Sequence, residues 1–83
     1  MNELVFKPIK NNECEVKPKR KKDIFGLLVI PESYDGMLVT TIAKDAFHDC
    51  KELTGILFPN TLTTIKAWAF CNTKISELVT RYY

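Results

Sequence analysis

The sequence predicts an α/β repeat solenoid, built from short strands and single helical or 3₁₀ turns and closed at one end by an N-terminal β-hairpin. Three observations predict it. Val39-Thr-Thr-Ile-Ala-Lys-Asp-Ala-Phe47 returns 23 residues later as Leu62-Thr-Thr-Ile-Lys-Ala-Trp-Ala-Phe70, with Ile42 falling on Ile65, Ala46 on Ala69 and Phe47 on Phe70. Both copies run on into an apolar tail: Leu53, Ile56 and Phe58 in the first, Ile75, Leu78 and Thr80 in the second, after a connection one residue shorter. Upstream, Leu28-Val29-Ile30-Pro31 matches Ile56-Leu57-Phe58-Pro59. A unit this short cannot bury its own apolar edge, but stacked units bury one another's.

The elements follow in chain order. In residues 1–23, Leu4-Val-Phe-Lys-Pro-Ile9 and Glu13-Cys-Glu-Val-Lys17 are extended, partly alternating segments, and Asn11-Asn12 between them is a hairpin turn. This hairpin would cap the stack, and the basic run Lys17–Lys22 would follow as a polar connection. Residues 24–38 form a partial repeat, in which the turn dipeptide Asp35-Gly36 redirects the chain into Val39. Residues 39–61 form a repeat and residues 62–83 a terminal one, all within a single domain.

Within a repeat, Thr-Thr-Ile and Thr-Gly-Ile-Leu-Phe are too short for helices and right for strands. Lys44–His48 and Lys66–Phe70 contain better helix formers and read as one turn each. Ala46 and Ala69 are small where that turn presses on the sheet. Phe47 and Phe70 fill the interior column, each contributing about 1.5–3 kcal/mol by area. Pro59 ends a strand, because it lacks the donor a ladder needs. The expected core is Val39, Ile42, Ala46, Phe47, Leu53, Ile56 and Phe58, with Leu62, Ile65, Ala69, Phe70, Ile75 and Leu78 stacked beside them.

These positions together resemble the BspA-type leucine-rich repeat. The chain supplies its pattern, in order, as Ile30, Pro31, Gly36, Val39, Thr40, Ile42, Ala46, Phe47, Cys50, Leu53, Thr54, Ile56 and Pro59, and the resemblance spans residues 24–80. The second full copy departs from it at Thr73, where Cys50 stood, and at Arg81, where Pro59 stood, as an atypical last repeat would. The resemblance implies a leucine-rich-repeat-like curved stack used for recognition, often on bacterial or protist surfaces, and it implies no chemistry. Two functions are compatible with it: a non-enzymatic protein–protein interaction module, or a structural end fragment of a longer surface-adhesion array with no separate activity. Further 23-residue copies and a signal sequence in a longer reading frame would favour the second.

Composition narrows the classes. Eighty-three residues with 46% hydrophobic content suffice for one modest core. The net charge of +2 is too small to imply nucleic acid, but residues 1–22 hold seven basic and three acidic side chains and the remainder five and seven. No apolar run reaches membrane-spanning length, and Met-Asn-Glu-Leu-Val-Phe-Lys-Pro is not a signal peptide, so the default compartment is the cytoplasm. There is no Ser-His-Asp set, no paired-carboxylate motif and no phosphate loop, so the chain is expected not to be an enzyme and to need no cofactor or metal.

Several residues carry a functional reading beside a structural one. Cys50 stands where the family places a loop cysteine, a small thiol packed beneath the turn. His48, Cys50 and Cys71 fall near one another in the repeat alignment, yet a zinc site would need Cys14 from the distant hairpin. A Cys50–Cys71 disulfide is compatible with the spacing but not required by it. Pro18-Lys-Arg-Lys-Lys22 resembles a nuclear-import signal and could hold phosphates, against the plain reading of a solvated linker; no aromatic residue interleaves with it to stack on bases. Trp68 aligns with Asp45 at an outward turn position, as a rim residue or a binding contact. Finally, Val29, Leu57 and Val79 lie between inward positions of successive strands and would form one apolar outer stripe. Val29, Leu57, Val79 and Trp68 are therefore the candidate contacts for a protein partner, or for a homo-oligomer through the strand face or the C-terminal edge. Neither nucleic acid nor membrane is an expected partner.

Overall fold

A computed structural model describes residues 3–75. Its strands are β1 (Leu4–Lys10), β2 (Glu13–Pro18), β3 (Gly26–Val29), β4 (Ser33–Tyr34), β5 (Met37–Ile42), β6 (Leu53–Leu57) and β7 (Thr64–Ile65). β1 and β2 form the expected antiparallel hairpin, with Asn11 and Asn12 at φ 46° and 59°. Both central residues of a tight hairpin turn need positive φ, and asparagine tolerates it better than most side chains. β4 and β5 form a second hairpin across Asp35 (φ 51°) and Gly36 (φ 80°).

Two columns of parallel strands give the molecule its repeat. In the first, β2 pairs with β5 and β5 with β7, with Thr41 opposite Thr64 and Ile42 opposite Ile65. In the second, β3 pairs with β6, with Leu28 opposite Ile56 and Val29 opposite Leu57. The hairpin thus does more than cover an end. Its second strand lies in the same column as the two Thr-Thr-Ile strands, with Cys14 opposite Val39 and Val16 opposite Ile42.

Register irregularities explain why inward residues lie three apart within a strand whose side chains alternate every two. Cys14 pairs with Val39 and Glu15 with Thr41, leaving Thr40 as an extra residue in β5. Gly26 pairs with Leu53 and Leu27 with Gly55, leaving Thr54 as an extra residue in β6. Such a bulge turns the following residues by one position. Val39 and Ile42 therefore both face inward, as do Leu53 and Ile56, and all four are buried. β2 has no extra residue opposite β5, and its buried residues Cys14, Val16 and Pro18 follow at intervals of two. Thr40 is itself buried, and its hydroxyl donates to Glu13 Oε1 at 3.1 Å, so the bulge leaves that polar group satisfied.

The expected helical turns do not form. Residues 43–50 make a chain of reverse turns instead, in which the N–H groups of Ala46, His48 and Cys50 donate to the carbonyls of Ala43, Asp45 and Phe47. Asp45 and Asp49 interrupt any right-handed helix with φ 59° and 65°, and Trp68 and Asn72 do the same one repeat later with 65° and 60°. The intervening N–H groups point across the stack: Asp45, Phe47 and Asp49 donate to the carbonyls of Ala67, Ala69 and Cys71 at 2.7–3.0 Å. Helix propensity loses here to a ladder between repeats. The sole helical element among the described residues is a 3₁₀ turn at Lys21–Asp23, so the fold is built of strands and turns rather than the expected α/β alternation.

The core lies between the columns and the turns. Val39, Ile42, Ala46, Phe47, Leu53, Ile56 and Phe58 are buried as expected, joined by Cys14, Val16, Ile24, Leu28 and Ile30. Phe47 and Phe70 stack nearly parallel with centroids 5.3 Å apart, and Phe58 meets Phe70 edge-on at 5.9 Å. Ala69 is buried, and Leu62, Phe70 and Ile75 are half-buried against this cluster. Ile65 departs from expectation at 43% exposed, because β7 has no strand on its far side among the described residues. Leu78 lies outside the described residues.

Candidate interaction surface

The outer face of the β3–β6 sheet follows from the alternation that fills the core. On β3 Leu28 points inward and is buried, so Leu27 and Val29 point outward, at 57% and 48% exposure, and Phe25, just before the strand, is 56% exposed. On β6 the inward residues are Leu53 and Ile56, with Phe58 buried just after the strand, and Leu57 lies half-buried beside Val29. Opposite Leu27 stands Gly55, where an added Cβ would come within 3.3 Å of Leu27 Cδ1. The glycine thus makes room for the leucine to lie across the neighbouring strand.

Two of the four sequence-predicted contacts, Val29 and Leu57, meet on this face. Val79 lies outside the described residues. Trp68 belongs elsewhere: it sits in the turn after β7, 63% exposed, with its ring edge-on to His48 at 6.5 Å. Phe25 and Leu27 were missed, although the i, i+2, i+4 spacing of Phe25, Leu27 and Val29 around the buried Leu28 is readable from the chain.

The turn face carries little reactive chemistry. Cys14, Cys50 and Cys71 are free thiols. Burial pushes the Cys14 and Cys50 thiols up, away from the thiolate a nucleophile or metal ligand requires. Cys50 Sγ lies 3.7 Å from the Lys21 carbonyl, beneath the turn. Among the described residues no three His, Cys, Asp or Glu side chains gather to hold a metal. Asp49 is held below the usual carboxylate range, first by the side-chain hydrogen bond from Asn72 Nδ2, 2.6 Å from its Oδ1, and then by nearby His48, Lys51 and Lys21.

A family model described as "BspA type Leucine rich repeat region (6 copies)" matches residues 28–81. The chain belongs to the BspA-type leucine-rich repeat family. No curated protein and no solved structure matches it. The match begins at Leu28 in β3 and takes in β5, β6, β7 and the two laddered turns, the part of the chain in which the repeat spacing is kept. Leucine-rich repeats of this kind are generally non-enzymatic and mediate protein interactions, which makes the outward faces of the BspA-type repeat the surfaces to weigh.

Proposed function

We propose that this chain is a non-enzymatic protein-interaction module, a short leucine-rich-repeat solenoid that docks a protein partner through the outer face of β3 and β6. The observation that carries this reading is the pair Leu27 and Val29, exposed on β3, with Phe25 exposed just before the strand and Leu57 continuing the row on β6. A small domain has strong reason to keep such residues polar, and a contiguous apolar face usually marks a contact. Parallel pairing and the buried inner residues hold that face in shape, so little ordering entropy opposes docking. Trp68 is a second, separate contact on the turn side.

Affinity capture with the wild-type chain and with the Leu27→Thr/Val29→Thr/Leu57→Thr variant tests the reading, with light scattering over a range of concentrations run alongside. The expected result is a protein partner held by the wild type and released by the variant, whose fold by circular dichroism is unchanged. A concentration-dependent mass lost in the variant would identify the partner as a second copy of the chain. An identical set of captured chains for both proteins, with both monomeric, would remove the sheet face from consideration.

A further inference from the structure

The basic run Lys17–Lys22 is part of the fold and not a loose linker. Lys17 and Pro18 end β2, Lys19 N–H donates to the Glu3 carbonyl at 3.0 Å, and Lys21–Asp23 form the 3₁₀ turn. Between the β5 and β7 layers, three backbone hydrogen bonds close one turn onto the next. Between the β2 and β5 layers the contact starts with Ala43 N–H to the Val16 carbonyl at 3.1 Å and resumes at Cys50 Sγ and the Lys21 carbonyl. Over the stretch between, Pro18 has no N–H to give and Lys19 N–H turns away to Glu3. The N–H groups of Asp23 and Ile24 are used within the 3₁₀ turn, on Arg20 and Lys21.

The two layers therefore part, and a half-open cavity of about 340 Å³ lies between them. Lys17, Lys19 and Lys21 line it from one layer, and Lys44 and Asp45 from the other. The lining thus brings four lysines together with one aspartate, and Lys21 also acts on Asp49. Lys19 has Glu3 at 3.9 Å, at an exposed site, while among the described residues Lys17, Lys21 and Lys44 make no salt bridge. Clustered on one side of the molecule, these lysines raise the local positive potential, which an anion would offset.

We propose that this cavity binds a small soluble anion carrying two or more phosphate groups. Charge sets the class: the lysines outnumber Asp45 by three, and a single phosphate of about −1.5 to −2 leaves part of that charge uncompensated. Lysine suits it too, as a point-charge partner for phosphate that needs no fixed bidentate geometry. The volume lies at the small end of ligand pockets and fits a compact oligophosphate rather than a polymer. No aromatic residue lines the cavity, so bases have no surface to stack on and the phosphates supply the recognition.

The experiment is a titration of inorganic tripolyphosphate into the ¹⁵N-labelled chain in physiological salt, read by amide shifts and calorimetry. Shifts confined to residues 17–21 and 43–46 are expected, with binding at least tenfold tighter than for orthophosphate. Lys17→Gln and Lys44→Gln should each weaken binding about three- to fivefold, the scale of one exposed charge pair. Asp45→Asn, which keeps a side chain tolerant of positive φ, should strengthen it by a similar factor. All four lysines carry exposed side chains, so melting temperatures should barely change. Shifts spread equally over Lys7, Lys10, Lys51, Lys66 and Lys74, or unaltered binding in Lys17→Gln/Lys44→Gln, would overturn the proposal. So would tighter, variant-insensitive binding to a single-stranded oligonucleotide or to anionic vesicles. The apolar-face variant described above should bind tripolyphosphate as the wild type does, which separates the two sites.

Discussion

Asp45 and Trp68 hold the same left-handed backbone conformation one repeat apart, at φ 59° and 65°. Asp49 and Asn72 repeat the relationship at 65° and 60°. The turns after β5 and β7 each use two such residues, and in the first of them the N–H groups of Asp45, Phe47 and Asp49 reach across to the next layer. Aspartate and asparagine accept this conformation at small cost; a bulky aromatic does so at about 1–2 kcal/mol. Trp68 is the exception among the four.

Trp68→Asn is therefore expected to stabilise the domain by about 0.5–1 kcal/mol, measured by urea unfolding. A loss of stability instead would mean that the edge-on packing of the Trp68 ring against His48 outweighs the backbone relief.

Phe47→Ala should cost about 3–5 kcal/mol, comparable with the whole stability of a domain this size, and leave the chain largely unfolded by circular dichroism. Phe70→Ala removes a half-buried ring from the same stack and should cost about 1–2 kcal/mol. Equal effects at both positions would contradict the observed gradient of burial.

Thiol accessibility should divide one against two. Cys71 is half-exposed, whereas Cys14 and Cys50 are buried with raised pKa values. At pH 8 a chromogenic disulfide reagent should react with one equivalent quickly and with the other two only as denaturant unfolds the chain. Three fast equivalents in buffer would show that the core opens readily.

Asn72→Gly keeps a residue suited to positive φ while removing the amide that bonds Asp49. The Asp49 carboxyl should then titrate closer to its ordinary value of 3.8, as followed by carbon-detected NMR. The sign follows from the depressed folded value. The stabilisation from this group is complete above the unfolded pKa and is lost as pH falls through the lower, folded one. Acid unfolding of the variant should consequently show a weaker dependence on pH below 3.8.

Much of the architecture was readable from spacing alone. The match of Phe47 with Phe70 became a ring stack, Asn11-Asn12 became a tight hairpin turn, and Val29 came to lie opposite Leu57. The family pattern from Ile30 to Pro59 identified the repeat. The candidate surface was half legible: alternation placed Val29 and Leu57 outward, and Phe25 and Leu27 escaped because no later copy repeats them.

By itself the sequence determined the period, the inward residues of the first full repeat and the family, since all three depend on which residues recur at a fixed interval. Tertiary structure alone decided the rest. Lys44–His48 and Lys66–Phe70 favour helix locally, but hydrogen bonds to a neighbouring layer are worth more than those of one isolated turn, so reverse turns formed. The three-residue spacing of Val39 and Ile42 is ambiguous until the pairing with β2 reveals an extra residue. The lysines of the basic run look like a solvated linker until the stack brings Lys44 opposite them. Each of these outcomes rests on contacts between segments more than twenty residues apart, which no local pattern encodes.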